Sequence, residues 1–283
     1  MTKRKTLNWK NQKQKKGKIK AKSQTEKIAQ VMESQYRAKA KQEILAKFPK
    51  LDILNPTLVV GLIGPNGAGK TTCFNLITGL YMPDGGQLAF KGKVYKPASP
   101  HVIARMGLAR TFQNIRLFKS MTALENIAVG MHGKTRQGVL GAVLRTPAQR
   151  REEQHIQQRA EHWLNYVGIG AYGNHLAGQL SYGDQRRLEI ARALASEPAL
   201  LALDEPAAGM NASEKLKLRE LLLQIREDGK SILLIEHDVK LVMGICDQVT
   251  VLDYGKVIAQ GTPVQVQQNP AVIEAYLGGL HHG

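Results

Sequence analysis

Between Gly64 and Thr71 the chain reads GPNGAGKT, which gathers three glycines, a lysine and a hydroxyl into one short loop. The spacing is G-x-x-x-x-G-K-[ST], and each residue type has a physical task beside a phosphate. Gly64, Gly67 and Gly69 let the backbone curl until amide N–H groups converge on phosphate oxygens, helped by the positive end of the helix that follows. Lys70 supplies charge to neutralise β and γ phosphates, and the Thr71 hydroxyl is suited to Mg²⁺. A glycine turn with a chance lysine would have the same composition. The apolar run before this loop and the helical stretch TTCFNLITGL after it favour the phosphate reading.

A phosphate loop needs an acidic partner for its metal, and ALLALDEP provides one. Asp204 ends an apolar run, where it would hold Mg²⁺ through its water shell. Glu205 follows, positioned to orient or deprotonate an attacking water. Two adjacent carboxylates at a strand end are otherwise commonplace as a solvated turn.

Four runs must position these groups. TLVVGLI (57–63), LLALD (200–204), SILLIE (231–236) and QVTVLD (248–253) are continuous and apolar rather than alternating, as strands buried on both faces are. Helical segments separate them, which predicts an α/β fold with a mostly parallel sheet. Between Gln113 and Ser181 there is little strand signal, and AQRREEQHIQQRAEHWLNYVG (148–168) is strongly helical. A helical subdomain inserted at about 115–180 is therefore expected.

The formal charge is +17, but it is unevenly distributed. Residues 1–57 hold 16 Lys/Arg against 4 Asp/Glu, a balance of +12, and residues 58–283 hold 24 against 19, a balance of +5. Basicity thus belongs mainly to the amino-terminal segment, and the overall charge does not point the remainder to nucleic acid. Residues 1–22 cannot bury enough apolar surface to order themselves, whereas 23–48 favour helix. Cys73 and Cys246 offer neither a disulfide framework nor metal-ligand spacing and read as small core residues of a reducing compartment. No apolar run reaches the length of a membrane span, and no secretory signal pattern opens the chain, so a cytoplasmic protein is expected.

Further motifs follow in a fixed order. QLSYGDQRRLEIARALASEPALLALDEP (179–206) resembles the ATP-binding cassette (ABC) family, whose signature is L-S-G-G-Q. Ser181 and Gly183 sit in the matching positions, with Tyr182 replacing the first glycine and Asp184 and Gln185 following. Gln113 in RTFQNIRLF matches the family's Q-loop, AAGMN (207–211) its D-loop and His237 in LLIEHD its switch histidine. Asn211 stands where aspartate is common. The resemblance implies a P-loop NTPase cassette of residues 58–283 that binds ATP through Gly64, Pro65, Asn66, Gly67, Ala68, Gly69, Lys70, Thr71 and Thr72. It implies Glu205, His237 and Gln113 as catalytic groups, Thr71, Gln113 and Asp204 as Mg²⁺ ligands, and a site completed in a head-to-tail dimer. In that dimer Ser181, Tyr182, Gly183, Asp184 and Gln185 face the partner chain's ATP.

Within the family, IARMGLARTFQNIRLFKSMTALENI (103–127), QRRLEIARAL (185–194), the segment 233–263 and NPAVIEAYLGG (269–279) resemble ATP-binding subunits of bacterial branched-chain amino acid importers. That likeness implies a second cassette and two membrane permease subunits as partners, a periplasmic substrate-binding protein acting indirectly, and a peripheral position on the cytoplasmic face of the inner membrane. The surface after Gln113 would receive a short permease helix. The insertion at 133–152 resembles one of two cassette types in such importers. A non-transport ABC ATPase acting on nucleic acid or ribosomes is the alternative, as is a nucleotide-binding protein without turnover. Against the first, about 110 residues separate Lys70 from Ser181, too few for a long coiled coil. Against the second, Glu205 and His237 are both present.

Left of Leu58 the likeness stops. Related cassettes carry an antiparallel strand region there, with an aromatic that stacks on adenine, and the corresponding position here is Lys41, with Tyr36 and Phe48 displaced. That β region thus reads as missing or replaced, and an altered frame or start is the favoured reading of 1–57 over a solvated arm or a tether. Tight adenine binding and full activity are correspondingly expected to suffer.

Overall fold

The structure is a computed structural model that describes residues 58–95, 99–131 and 147–278. The expectations for residues 1–57, including the fate of the antiparallel region, and for most of the 133–152 insertion lie outside the described residues.

In chain order the strands are β1 (Val59–Ile63), β2 (Leu88–Phe90), β3 (Lys93–Tyr95), β4 (Leu108–Arg110), β5 (Leu200–Asp204), β6 (Ser231–Ile235), β7 (Gln248–Asp253) and β8 (Lys256–Gly261). The helices are α1 (Lys70–Ile77), α2 (Pro100–Arg105), α3 (Ala123–Met131), α4 (Pro147–Tyr166), α5 (Tyr182–Leu194), α6 (Ala212–Glu227), α7 (Val239–Ile245), α8 (Pro263–Gln267) and α9 (Pro270–Gly278). Six strands form one sheet in the order β4-β5-β6-β1-β7-β8, and β2 and β3 form a separate antiparallel pair. All neighbours in the large sheet are parallel except β7 and β8.

Every residue of β1, β5 and β6 is buried, as the continuous apolar runs require of a sheet covered on both faces. Alternate side chains feed two cores. Ile63, Leu201, Leu203, Ile232 and Leu234 pack with Leu188, Leu218 and Leu241 on one face, while Leu62, Leu200, Leu233 and Ile235 pack with Phe74 and Ile103 on the other. Each fully buried aliphatic side chain contributes roughly 1.5–3 kcal/mol.

Between Gln113 and Ser181 the described residues form α3, α4, two short 3₁₀ turns at Gly170–Tyr172 and Ala177–Gln179, and a lone bridge between Thr122 and Leu176. Ile127, Trp163, Leu164 and Val167 bury themselves against Leu188 and Ala191 of α5. Parallel pairing brings the carboxyl ends of five adjacent strands, β4, β5, β6, β1 and β7, to one edge of the sheet. Open α/β sheets bind ligands at that edge.

Candidate nucleotide site

The loop after β1 takes its shape from its glycines. Gly64 has φ 151°, and a Cβ there would lie 2.1 Å from the Leu252 carbonyl oxygen, so β7 leaves room only for glycine. Gly69 caps α1 in the left-handed region at φ 96°, with no side-chain cap and no acidic residue in the first turn. The opening N–H groups of α1 consequently face outward with the helix dipole behind them, an arrangement suited to an anion. The back of the loop is fastened too. Gly255, in the turn between β7 and β8, donates its N–H to the Ala68 carbonyl at 2.9 Å, and the Gly64 backbone, acting on the Tyr276 hydroxyl of α9, partly offsets the rise that burial gives that hydroxyl.

Lys70 is buried and its Nζ donates to the Gly64 and Pro65 carbonyls at 2.8 and 2.9 Å. Burial pulls its ammonium below the usual lysine range, and the carboxylates of Glu205 and Asp204 oppose that fall. The cation is thus stored across the mouth of the loop, close to both acids.

Asp204 and Glu205 are buried at the end of β5. Burial raises the Asp204 carboxyl above the usual range, against the pull of Arg110, whose Nη2 lies 3.9 Å from Oδ2. Glu205 adopts φ 48°, a left-handed conformation that costs a non-glycine residue on the order of 1 kcal/mol. That twist turns its side chain toward two donors on neighbouring strand ends. Gln113 Nε2 donates to Oε2 at 2.8 Å, and His237 Nε2 lies 2.5 Å from Oε1. Gln113, Glu205 and His237, far apart in sequence, therefore form one connected group beside Asp204 and Lys70.

Thr71, Gln113 and Asp204 offer a hydroxyl, a carboxamide oxygen and a carboxylate. Hard oxygen donors of this kind suit Mg²⁺, which commonly takes one or two carboxylates and completes its shell with water and substrate phosphates. Among the described residues no group of three or more His, Cys, Asp or Glu could cage a metal ion. The residues present fit an ion shared with phosphate.

The Ser181 segment forms a second locus. Ser181 caps α5: its Oγ accepts from the Asp184 N–H at 3.2 Å and donates to Asp184 Oδ2 at 2.8 Å, and Asp184 also pairs with Arg187. Gln185 Nε2 donates to the Leu180 carbonyl at 2.8 Å. Ser181, Gly183 and Asp184 line one side of a groove whose other side is Met210, Asn211 and Glu214. The Tyr182 ring lies over Gly209, where an added Cβ would meet it at 3.3 Å. Asn211 is itself a cap, opening α6 in a reciprocal box with Glu214.

Four charged residues that motif reading passes over belong to this framework. Arg110 lies between the Phe74 and Phe112 rings, with its guanidinium carbon 4.7 and 4.5 Å from their centroids, and donates to Asn75 of α1 and to Thr78, which caps the end of that helix. Burial brings its guanidinium down to about 10. Glu236 is buried and accepts the N–H groups of Ala207 at 2.7 Å and His237 at 3.1 Å, joining the 207–211 loop to the histidine. Arg186 and Glu189 pair inside the molecule beneath the Gln113 loop. The available signal was a charge placed on the apolar side of a helix or directly after a buried strand.

A parallel sheet with a glycine-rich phosphate loop after β1, an acid pair after β5 and a glutamine and a histidine converging on it defines a P-loop nucleotide-binding cassette. The model of the ABC transporter family matches residues 50–208, beginning ahead of Leu58, and this chain belongs to that family. A second model, described as branched-chain amino acid ATP-binding cassette transporter, matches residues 256–282. The chain is 50% identical over 221 residues to the high-affinity branched-chain amino acid transport ATP-binding protein BraF of Pseudomonas aeruginosa, covering 78% of this chain and 87% of the relative. It is 48% identical over 226 residues to the corresponding LivG of Escherichia coli, covering 80% and 89%. Among solved structures it is similar to the ADP conformation of MJ1267, an ATP-binding cassette of an ABC transporter, with TM-score 0.68, 31% identity and coverage of 79% and 89%. It is also similar to a dimeric post-hydrolysis cassette, MJ0796, bound to ADP and Pi, with TM-score 0.62, 25% identity and coverage of 73% and 86%. These relatives do not favour the nucleic-acid alternative.

Proposed function

We propose that this chain is the ATP-hydrolysing subunit of an importer whose cargo is branched-chain amino acids. The observation that carries the reading is the Glu205 carboxylate held between Gln113 and His237 at the mouth of a phosphate loop. Identity of 48–50% to branched-chain amino acid transport ATP-binding proteins supports the cargo class.

In this reading Lys70 leaves the Gly64 and Pro65 carbonyls for the β and γ phosphates, and the N–H groups from Asn66 to Thr72 surround them. Glu205 orients a water and accepts its proton as the oxygen attacks the γ phosphorus and the bond to the bridging oxygen breaks. His237 fixes Glu205 and reaches the γ phosphate. Thr71, Asp204 and Gln113 would hold Mg²⁺, which offsets phosphate charge when bound. Ser181, Tyr182, Gly183, Asp184 and Gln185 would face the ATP of a second cassette in a head-to-tail dimer, and two permease subunits would receive the motion at the cytoplasmic face of the inner membrane. A periplasmic binding protein would deliver cargo to the far side. Among the described residues no helix is long and apolar enough to cross a membrane, consistent with a cassette that borrows its membrane path.

Glu205→Gln tests the chemistry. Turnover should fall at least a hundredfold, while ATP binding persists and a dimer accumulates with ATP; a variant that keeps its turnover refutes the assignment. Co-purification of permease subunits, followed by a ligand screen of the binding protein, tests the transport reading. Recovery with ribosomes or DNA in high salt would overturn it.

A further inference from the structure

Arg186 has no exposed surface, and Glu189, one turn further along α5, is 1% exposed. Their ion pair, at 2.8 Å, uses only part of each group. Arg186 Nη1 also donates to the Phe112 carbonyl at 2.6 Å and Nη2 to the Gln113 carbonyl at 2.7 Å, so one planar fork grips two successive peptide groups. The free oxygen of Glu189, Oε1, accepts the Arg116 N–H at 3.2 Å. Arg192, further along α5, donates to the Arg116 carbonyl. The segment 112–116 is therefore fastened to α5 through its backbone, leaving the Gln113 side chain free to hold Glu205. Its Phe112 ring lies between the guanidinium groups of Arg110 and Arg116, 4.5 and 4.1 Å from the ring centroid.

We propose that Arg186, held by Glu189, is a positioning residue that makes the Gln113 segment and α5 move as one body, so that nucleotide at a chain's own phosphate loop sets the pose of the Ser181 end it presents to its partner. This rests on the divided site described above. Arg186 lies five positions after the Ser181 cap, roughly 8 Å along a helix, so a shift at Gln113 reaches the cap through little more than one rigid turn. Stability alone gives little reason for the arrangement. A buried ion pair is commonly matched or bettered by apolar residues of similar volume, and Arg186 Nε is left without a partner. What an apolar pair cannot do is hold the Phe112 and Gln113 carbonyls.

The test uses the full chain in three forms, Arg186→Met with Glu189→Leu, Arg186→Lys, and the parent, each also combined with Glu205→Gln. Melting temperature, equilibrium ATP affinity, KM, kcat and ATP-driven dimerisation by sedimentation are read for each. The double variant should bind ATP within twofold of the parent, lose at least tenfold in kcat, and need at least tenfold more protein to dimerise. The lysine variant, which keeps the charge but not the fork, should lose threefold to tenfold in the same two quantities, and it carries the test if the double variant fails to fold. A folded variant of either kind with kcat and dimerisation both within twofold of the parent overturns the proposal, as does a loss confined to ATP affinity. If the parent Glu205→Gln chain does not dimerise with ATP, the divided-site reading falls and the proposal with it. If the parent dimerises and the variants match it, the coupling role alone is lost.

Discussion

Glu205 shows how much of the site depends on a few atoms: its strained backbone aims the carboxylate at Gln113 and His237, and each donor takes one of its oxygens. Substitutions near it should divide by what they leave behind. Arg186→Met alone strands the Glu189 carboxylate in the interior and is expected to cost about 3–5 kcal/mol in urea denaturation. Adding Glu189→Leu should recover a large part of that loss, because no uncompensated charge remains. Asp238 is a milder case. It caps α7 through the Leu241 N–H and pairs with Lys215 at 2.7 Å, and that pairing, reinforced by backbone donors, lowers its carboxyl. A lowered carboxyl adds stability that is complete above the ordinary aspartate range and is lost as pH falls through the depressed value. Asp238→Ala should therefore cost about 1 kcal/mol at pH 7, and melting curves of the two proteins should converge in strong acid. The phosphate-loop residues, the acid pair, Gln113 and His237 were legible because spacing to strong motifs identifies them. Arg110, Arg186, Glu189 and Glu236 were not, because each is held by at least one partner far along the chain, a side chain for Arg110 and a backbone group for the others, and no local pattern encodes such pairings.

Buried strands announced themselves, while short and marginal ones did not. LLALD and QVTVLD coincide with β5 and β7 because a strand covered on both faces needs an unbroken apolar run. The stretches LAF, KVY and LAR have three residues each, too few to display a period, and β8 is a half-exposed antiparallel edge whose KVIAQG pattern resembles a loop. Asn211 illustrates a position whose local task is visible only in its helix. The departure from the usual aspartate is compatible with structure because asparagine caps α6 equally well. Asn211→Ala should lower stability by about 1 kcal/mol, and Asn211→Asp should preserve it, both read from chemical denaturation. Gly64→Ala is expected to be far more harmful, since the added methyl would push the loop away from the Leu252 carbonyl. ATP affinity should fall at least tenfold, and a variant that binds normally would show that the loop can move away from β7.

Two buried thiols report on the integrity of the entire fold. Cys73 lies on one face of the sheet and Cys246 on the other. Burial pushes both to about 12, so neither is a thiolate near neutrality. Alkylation at pH 8 should consequently be slow in the native protein and should accelerate at both positions together on unfolding; rapid labelling of one thiol alone would reveal a face that opens by itself. The fold class was readable from runs and motif order, but the way distant segments brace one another was not. The phosphate loop is the instructive case. Leu252, Gly255 and Tyr276 touch it from behind, and the last of these belongs to the stretch matched by the branched-chain cassette model. A chimera that exchanged the tail of this chain for that of another cassette would thus be replacing part of the mould in which the loop is cast. Grafted versions should need compensating changes at Gly64 or Ala68 before they handle ATP as the parent does.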